Sequence, residues 1–497
     1  MRFVDHRNIT FDIIRHAEAM PDAPALLLPD SEISYDALNK LTWTFAQVLH
    51  NRGVRAGDIV ALTFAEELNL VLAMFAVTRL GATVFSIAQS STPIQRKEFA
   101  AQAQAKILLT DRPGQFDSGL PEIQIDLQSL KNVSIPINKD ILVANPIAPW
   151  LLVIGSGTTG KPLLIPVTHA QENARSSMSR DWLGITSDDR ITSLSHLDFT
   201  APKHRLHEVL WAGASFGLFD RDTENPIQMC PQRSFTVLHA TVWHVESMLA
   251  TLPPDAANAL DSLRILSMGA SSVSDDLRQR IRRHLCSNLL VRYATNETGP
   301  IAIAGPSEVF AVSGTVGRPT PGVLIQIVDS SSQPVSIGTI GFIRVRSPGL
   351  IDGYFHDENT TRQRFKDNWF LPGDLGKLTQ DGHLIYWGRA DHMMIMGGIN
   401  IYPAEIEEVL TGHPAVRDAA AMPVKNTILQ DIPVCAVVLY SGADISEQSL
   451  LTYARERLGV QSPDRVAIIE KIPRNERGKL IRAELMEQIT IKLGMTS

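Results

Sequence analysis

The sequence predicts a layered α/β protein that carries a small β-barrel-like subdomain and ends in a small α+β unit. Three observations predict it. Short apolar runs alternate with helix-length segments through roughly the first 300 residues, as in stacked strand–helix layers. From Gly314 to Val345 the pattern changes to short β-rich runs separated by Gly and Pro turns. Beyond Ile401 a helix with a polar face precedes two further apolar runs, which reads as a separate small unit. At 497 residues the chain is also too long for one ordinary core.

Taken in order, Phe11 to Ala19 has the period of an amphipathic helix, and Ala25 to Tyr35 that of a short hairpin. A helix over Asp36 to Arg52 ends near Gly53. Strand, helix and strand follow at Ile59–Thr63, Glu67–Arg79 and Ala82–Ser86, with Gly81 as the helix stop. The helix Thr92–Gln104 leads to the strand Lys106–Thr110, and the polar stretch Asp117–Ala148 is expected to be an irregular surface excursion. Trp150–Ile154 reads as a buried strand. Further strands are expected at Arg190–Leu194, Ser234–Leu238 and Arg264–Met268. The tail is read as a helix over Ile401–Thr411 and strands at Val416–Met422 and Val434–Tyr440.

Composition narrows the function. The chain is 44% hydrophobic and 20% charged, a globular composition. A net charge of −7 without a basic block argues against nucleic acid as a partner. Cys230, Cys286 and Cys435 are scattered, so reduced thiols in a cytoplasmic setting are expected, with no disulfide frame and no zinc spacing. The first twenty residues carry charges throughout and lack a signal-type core. Leu68–Val77 covers only half a membrane span before Arg79, so no membrane insertion is expected.

The stretch Gly155-Ser156-Gly157-Thr158-Thr159-Gly160-Lys161-Pro162 follows the Trp150 strand. Its glycines allow close backbone approach to a ligand, its hydroxyls can help hold an anion, and Lys161 adds positive charge; polyphosphate is the natural guest. An exposed turn after a strand is the plain alternative. The spacing also fits a Walker A loop up to its last position. There Pro162 offers neither a hydroxyl for magnesium nor an N–H for phosphate.

Read onward from this loop, further stretches resemble the adenylate-forming superfamily, which comprises acyl-CoA synthetases, non-ribosomal peptide adenylation domains and firefly-type luciferases. "SGTTGKP" with "VTH" looks like its phosphate loop, "RYATNETG" its adenine and magnesium motif, and "WFLPGDLG" its ribose-binding motif. "GRADHMMIMGGINIYPAEIE" is similar to its hinge and "PRNERGKLIR" to its C-terminal lysine loop. Each stretch alone is weak; their order and spacing, from about residue 10 to 485, carry the resemblance.

The resemblance implies an N-terminal ATP- and acyl-binding domain over 1–390 and a mobile C-terminal lid over 391–497, hinged at Asp391. In the family reaction a carboxylate attacks the α-phosphate of ATP and magnesium pyrophosphate leaves, so positioning and charge neutralisation dominate. Ser156, Gly157, Thr158, Thr159, Gly160 and Lys161 would grip the departing phosphates. Glu297, with Thr158, would bind Mg2+, a hard ion suited to oxygen ligands. Tyr293 would stack on adenine, Asp374 accept both ribose hydroxyls, and Arg389 donate near the α-phosphate. Lys479 would bridge carboxylate and phosphate as a mobile point charge. Gly397 and Gly398 would let a pantetheine arm lie against the backbone after lid rotation. Plainer roles exist for each: a turn for Asp374, a cap or local pair for Glu297, core packing for Tyr293, a surface lysine for Lys479, a tight hairpin for the glycine pair.

The sequence departs from the family pattern at Leu163, where Lys is usual, and at Asn296, where Thr or Ser is usual; the Asn296 amide can still donate to the α-phosphate. By its distance to Gly213, Asp198 falls near where many acyl-CoA ligases place a His that gates the acyl pocket and where peptide-type adenylation domains often place an Asp that pairs with a substrate amine, which permits an acid substrate with a cationic or donor group; a helix cap or loop Asp is the alternative. Trp243, Gly269 and Ala270 are assigned to the substrate pocket. His196, His204, His207, His239 and His244 are read as pocket or surface residues. The expected activity is ATP-dependent, AMP-forming ligation of a small carboxylic acid to the thiol of CoA. Transfer to an external phosphopantetheine carrier protein or to an amine is the alternative, and a non-catalytic nucleotide binder is the alternative of another class.

Overall fold

The computed structural model describes residues 8–130, 136–155, 162–221, 223–397, 399–426, 428–475 and 480–494. Two largely parallel sheets make the large layered body. One has nine strands, in the order Arg318–Pro319, Gly299–Ala304, Leu289–Thr295, Ile265–Met268, Val237–Ala240, Arg190–Ser193, Ser215–Gly217, Pro24–Leu27 and Glu32–Ser34. The other has six, in the order Glu122–Gln124, Ile107–Thr110, Ile59–Leu62, Thr83–Ser86, Pro149–Gly155 and Leu163–Thr168. Parallel neighbours need crossover helices, so both sheet faces are covered and inner strands such as Ile59–Leu62 and Ile265–Met268 are largely apolar.

The helix Glu67–Arg79 shows the logic. It is apolar on nearly every side and is buried from Asn69 to Arg79, the position for a helix enclosed in the body. One continuous core joins it to strands of both sheets, among them Leu26, Ile191, Val60 and Val84. Arg79 is fully buried: it donates to the Asn39 side chain at 2.7 Å and lies 4.4 Å from the Trp43 ring. Burial pulls its pKa down to about 9.

Three expectations are corrected. The stretch Asp117–Ala148 is not only a surface excursion, because Glu122–Gln124 adds a parallel strand beside Ile107–Thr110 and Ile123, Ile125, Leu130 and Ile141 are buried. Alternating Ile123 and Ile125 is a strand pattern too short to stand out among polar neighbours. The strand expected at Ser234–Leu238 runs over Val237–Ala240, since Ser234 turns the chain with φ +53°. The tail helix starts at Pro403 rather than Ile401, because Ile399–Ile401 pairs with Met394–Met396 as a hairpin.

The β subdomain is a six-stranded antiparallel sheet built from Leu324–Val328, Gly341–Arg346, Phe365–Lys366, Trp369–Phe370, Asp374–Leu378 and Leu384–Arg389. The last sheet holds Met394–Met396, Ile399–Ile401, the long hairpin Val416–Asn426 and Gln430–Leu439, and Arg465–Ile468. Its two apolar clusters draw only on residues between Met394 and Ile489. This unit touches the large body through the helix Pro403–Thr411 against Leu384–Arg389, and through the Tyr440 hydroxyl, which donates to Asp276 at 2.7 Å. Among the described residues no helix is long and apolar enough to cross a membrane.

Candidate active site

Asp374 opens one strand of the β subdomain and stands opposite Arg389 on its neighbour, so the sheet register itself pairs them. Arg389 Nη1 lies 3.3 Å from Asp374 Oδ1 and donates to the Pro372 carbonyl at 2.6 Å; its Nε and Nη2 each reach Asp391 at 3.2 Å. From the nine-stranded sheet, Tyr293 donates its hydroxyl to Asp374 Oδ2 at 2.5 Å. Burial pushes the Asp374 pKa up, and the Tyr293 and Arg389 donors only partly offset it. Burial, then the Asp374 charge, drives Tyr293 well above the usual phenol range. Each Asp374 oxygen thus has one protein donor and keeps a further acceptor direction. A diol such as ribose can use both. The Tyr293 ring itself is buried, 5.6 Å from the Tyr386 ring.

Glu297 follows the strand Leu289–Thr295 in a turn closed by Gly299, whose φ is +71°. The Tyr354 hydroxyl donates to Glu297 Oε1 at 3.0 Å. The Glu297 carbonyl accepts from Arg175 Nη2 at 2.8 Å and from the Ile351 N–H at 2.9 Å. The Phe355 N–H donates to Leu164 O at 2.8 Å, which ties the segment bearing Tyr354 to the strand leaving the Gly-rich loop. Asn296 and Glu297 are half-buried and Ala294 is exposed. A half-buried carboxylate steadied by one hydroxyl fits a hard cation that keeps part of its water shell. Neither Tyr354 nor Arg175 was singled out from the sequence. Tyr354 sits in "GLIDGYF", where nothing in the linear pattern points to Glu297.

A cavity of about 470 Å³ is lined among others by Ser86, Gly155, Pro162, Asp198, Phe199 and Lys203. It therefore touches both flanks of the Gly-rich loop. Asp198 accepts from the Gln89 N–H at 3.3 Å and lies 3.5 Å from His196 Nδ1, while Lys203 donates to the Asp198 and Phe199 carbonyls at 2.8 and 3.3 Å. Burial raises the Asp198 pKa against the pull of His196 and Lys203. The Lys203 ammonium already lies close to this residue, and the helix N-cap next to it is Phe199. Trp243 is 39% exposed, stacked edge-on to His244 at 5.2 Å. Trp243, Gly269 and Ala270 do not line this cavity; Ala270 turns the chain after Ile265–Met268 with φ +70°.

Of the five histidines expected in a pocket or on the surface, His204, His207 and His239 need correction. His204 Nδ1 bonds Glu172 at 2.7 Å, His207 lies 3.5 Å from the same carboxylate, and His207 and His239 are buried. Helix Thr200–Ala212 packs on helix His169–Leu183, so a His at this spacing meets a facing carboxylate instead of solvent.

Asp391 lies in the 3-10 turn Ala390–His392, where a cluster of Arg389, Asp391 and His392 joins the two parts of the chain. Arg482 also has Asp391 and Glu407 as acidic neighbours, though burial pulls its pKa down. Gly397, with φ +57°, turns the hairpin Met394–Ile401 and donates its N–H to Leu429 O at 2.9 Å. The expectations for Ser156, Gly157, Thr158, Thr159, Gly160, Lys161, Gly398 and Lys479 fall outside the described residues.

A fold of layered sheets with a small terminal unit, with the buried Asp374 held between Tyr293 and Arg389, suits a nucleotide-using class of enzyme. The chain belongs to the AMP-binding enzyme family, which it matches over residues 13–355, with the AMP-binding enzyme C-terminal domain matched over 405–479. It is 27% identical over 487 residues to the 2-succinylbenzoate–CoA ligase of Bacillus licheniformis, covering 97% of this chain and 100% of that protein. It is 26% identical over 506 residues to the indoleacetate–CoA ligase of Aromatoleum aromaticum, covering 97% and 98%. Its fold is similar to that of ATP-bound MatB from Rhodopseudomonas palustris, with a TM-score of 0.88, 23% identity, and coverage of 98% and 99%.

Proposed function

We propose that this protein is an ATP-dependent, AMP-forming ligase that adenylates a small carboxylic acid and passes the acyl group to the thiol of CoA. The observation that carries it is the meeting of Tyr293, Asp374 and Arg389 around one buried carboxylate, with Glu297 tied through Tyr354 to the strand leaving the Gly-rich loop. The CoA ligases to which the chain is similar, acting on 2-succinylbenzoate and indoleacetate, support CoA as acceptor and an acid with an aromatic ring.

In this reading the Asp374 oxygens hold the ribose, and Arg389, fixed between Asp374 and Asp391, adds donors towards the α-phosphate. Glu297 would hold Mg2+, which when bound neutralises the charge of the departing pyrophosphate. The loop residues 156–161 would cradle the β- and γ-phosphates, and Lys479 would bridge the attacking carboxylate and the α-phosphate. The domain boundary is proposed at residue 390/391, with the Asp391 turn as hinge for a lid of residues 391–497. One orientation would present Lys479 and the other the Gly397-Gly398 hairpin. Asp198, Trp243, Gly269 and Ala270 are proposed as substrate-pocket residues, of which Asp198 lines the cavity described above. A cytoplasmic location belongs to the same reading and is supported by three free, buried cysteines.

Acid-dependent exchange of pyrophosphate into ATP tests the first step, and thioester formation with free CoA the second. Lys479→Ala should lower exchange by about 150-fold or more, equivalent to about 3 kcal/mol of transition-state stabilisation, while ATP binding persists. Exchange at the wild-type rate in that variant would remove the assignment. Exchange with every acid absent from a broad panel would favour the non-catalytic nucleotide binder.

A further inference from the structure

Helix His169–Leu183 leaves the Gly-rich loop region and runs beneath the turn that carries Glu297. One residue on it, Arg175, is buried to 3% exposure. Its Nη2 donates to the Glu297 carbonyl at 2.8 Å and its Nε to the Gly349 carbonyl at 2.9 Å. Two glycines leave room for it: a Cβ on Gly299 or on Gly349 would come within 2.6 Å of Arg175 Cγ. The charge is balanced in the interior by Glu172, one turn earlier on the helix, and by Glu297 itself. Burial lowers the Arg175 pKa to about 10, which leaves the guanidinium protonated at neutral pH.

This is costly to build. A cation taken out of water is destabilising by several kcal/mol unless its partners are well placed. Here the partners are two main-chain carbonyls on adjoining segments, which also meet through the Ile351 N–H on the Glu297 carbonyl at 2.9 Å and the Ser347 hydroxyl on the Thr298 carbonyl at 3.2 Å. The Glu297 segment closes the nine-stranded sheet, and Gly349 precedes the segment that brings Tyr354 to the Glu297 carboxylate. A planar fork with fixed donor directions can hold two such segments at a set separation, whereas an ammonium cannot do so with the same geometry.

We infer that Arg175 is a positioning residue for the metal-binding carboxylate, setting Glu297 and its Tyr354 partner at the separation that Mg2+ binding requires. The inference rests on the reading of Glu297 as the metal ligand. Because Arg175 acts through the backbone of Glu297, its loss should raise the Mg2+ concentration needed for half-maximal pyrophosphate exchange. Transfer of a preformed acyl adenylate to CoA and the KM for the acid should stay close to wild type.

The experiment compares Arg175→Met, Arg175→Lys, Gly349→Ala and Glu297→Gln in the full chain, titrating Mg2+ against exchange at saturating ATP and acid, and against calorimetric Mg2+ binding to the ATP-loaded chain without acid. Arg175→Met should raise the Mg2+ requirement about tenfold or more, and Arg175→Lys should recover part of that shift. Gly349→Ala sets a Cβ 2.6 Å from Arg175 Cγ and 3.0 Å from the Thr298 carbonyl, so it disturbs the same junction with the charge kept and should shift the Mg2+ requirement in the same direction; it carries the test if Arg175→Met does not fold. An unchanged Mg2+ requirement in folded Arg175→Met or in Gly349→Ala overturns the inference. So does an equal loss in every kinetic constant, which is the mark of general destabilisation. Glu297→Gln is the separate control: a Mg2+ requirement unchanged there removes the metal-ligand reading itself.

Discussion

Asp374→Asn is the most informative single change at the nucleotide site. In the native site Oδ2 accepts from the Tyr293 hydroxyl at 2.5 Å and Oδ1 from Arg389 at 3.3 Å, which leaves one further acceptor direction on each oxygen for a ribose hydroxyl. Asparagine keeps the shape but turns one acceptor into a donor and removes the charge. A hydrogen bond to a charged group is worth about 1.5–3 kcal/mol and a neutral one about 0.5–1.5 kcal/mol. Over two hydroxyls the loss is about 2–3 kcal/mol, or ~30–150-fold in the Kd for ATP. The fold should tolerate the change. Arg389 keeps both contacts to Asp391, the Tyr293 hydroxyl can rotate to an amide, and a buried carboxylate with a raised pKa is removed. Calorimetric titration with ATP, 2′-deoxy-ATP and 3′-deoxy-ATP reads the effect. Wild type should discriminate against both deoxy analogues and the variant should lose most of that discrimination. Equal ATP affinity in the two proteins, or an unchanged preference for ATP over the deoxy analogues, would refute the assignment of Asp374 to the ribose.

Further outcomes follow from buried groups elsewhere. His169 accepts the Ile9 N–H at 3.2 Å and burial lowers its pKa from 6.5 to about 3. The unfolded chain therefore binds a proton that the native state refuses, and stability falls as pH drops through 6.5 and keeps falling towards 3. From pH 7.5 to 5.5 this one group removes about 1.4 kcal/mol, and a denaturant titration at both values should show His169→Gln with a shallower pH dependence than wild type. Gly317 has φ +94° and a Cβ there would lie 1.9 Å from the Ile303 carbonyl, so Gly317→Ala should cost about 3 kcal/mol or more; a change below 1 kcal/mol in chemical denaturation would contradict the packing. Tyr440→Phe removes the hydroxyl that reaches Asp276 from the terminal unit at 2.7 Å. If this contact favours one lid orientation, the ratio of exchange rate to thioester-forming rate should move by about 2- to 10-fold, with a ratio identical to wild type counting against it.

Much of the architecture was legible locally. Alternating strands and helices from Ile59 to Thr110 carry their own periodicity, and helix Phe11–Ala19 runs over the same residues in the structure as its apolar spacing predicts. The misjudged stretches were those where the local pattern was short. Glu122–Gln124 becomes a strand only beside Ile107–Thr110, and Ile399–Ile401 only beside Met394–Met396. At the candidate site, Asp374, Arg389 and Glu297 were named because the stretches "WFLPGDLG", "GRADHMMIMGGINIYPAEIE" and "RYATNETG" resemble family motifs. His204 and His207 were misread because their partner, Glu172, lies on another helix.

The linear order of residues determined the Gly-rich loop, the sequence of functional stretches and the helix and strand periods, since each depends on neighbours a few positions away. Only the tertiary structure decided that Tyr293 meets Asp374 across 81 residues, and that Arg175 holds Glu297 across 122. Those contacts arise where separate sheets and helices close on one another, and the directions of their donors are set by packing that no local pattern encodes.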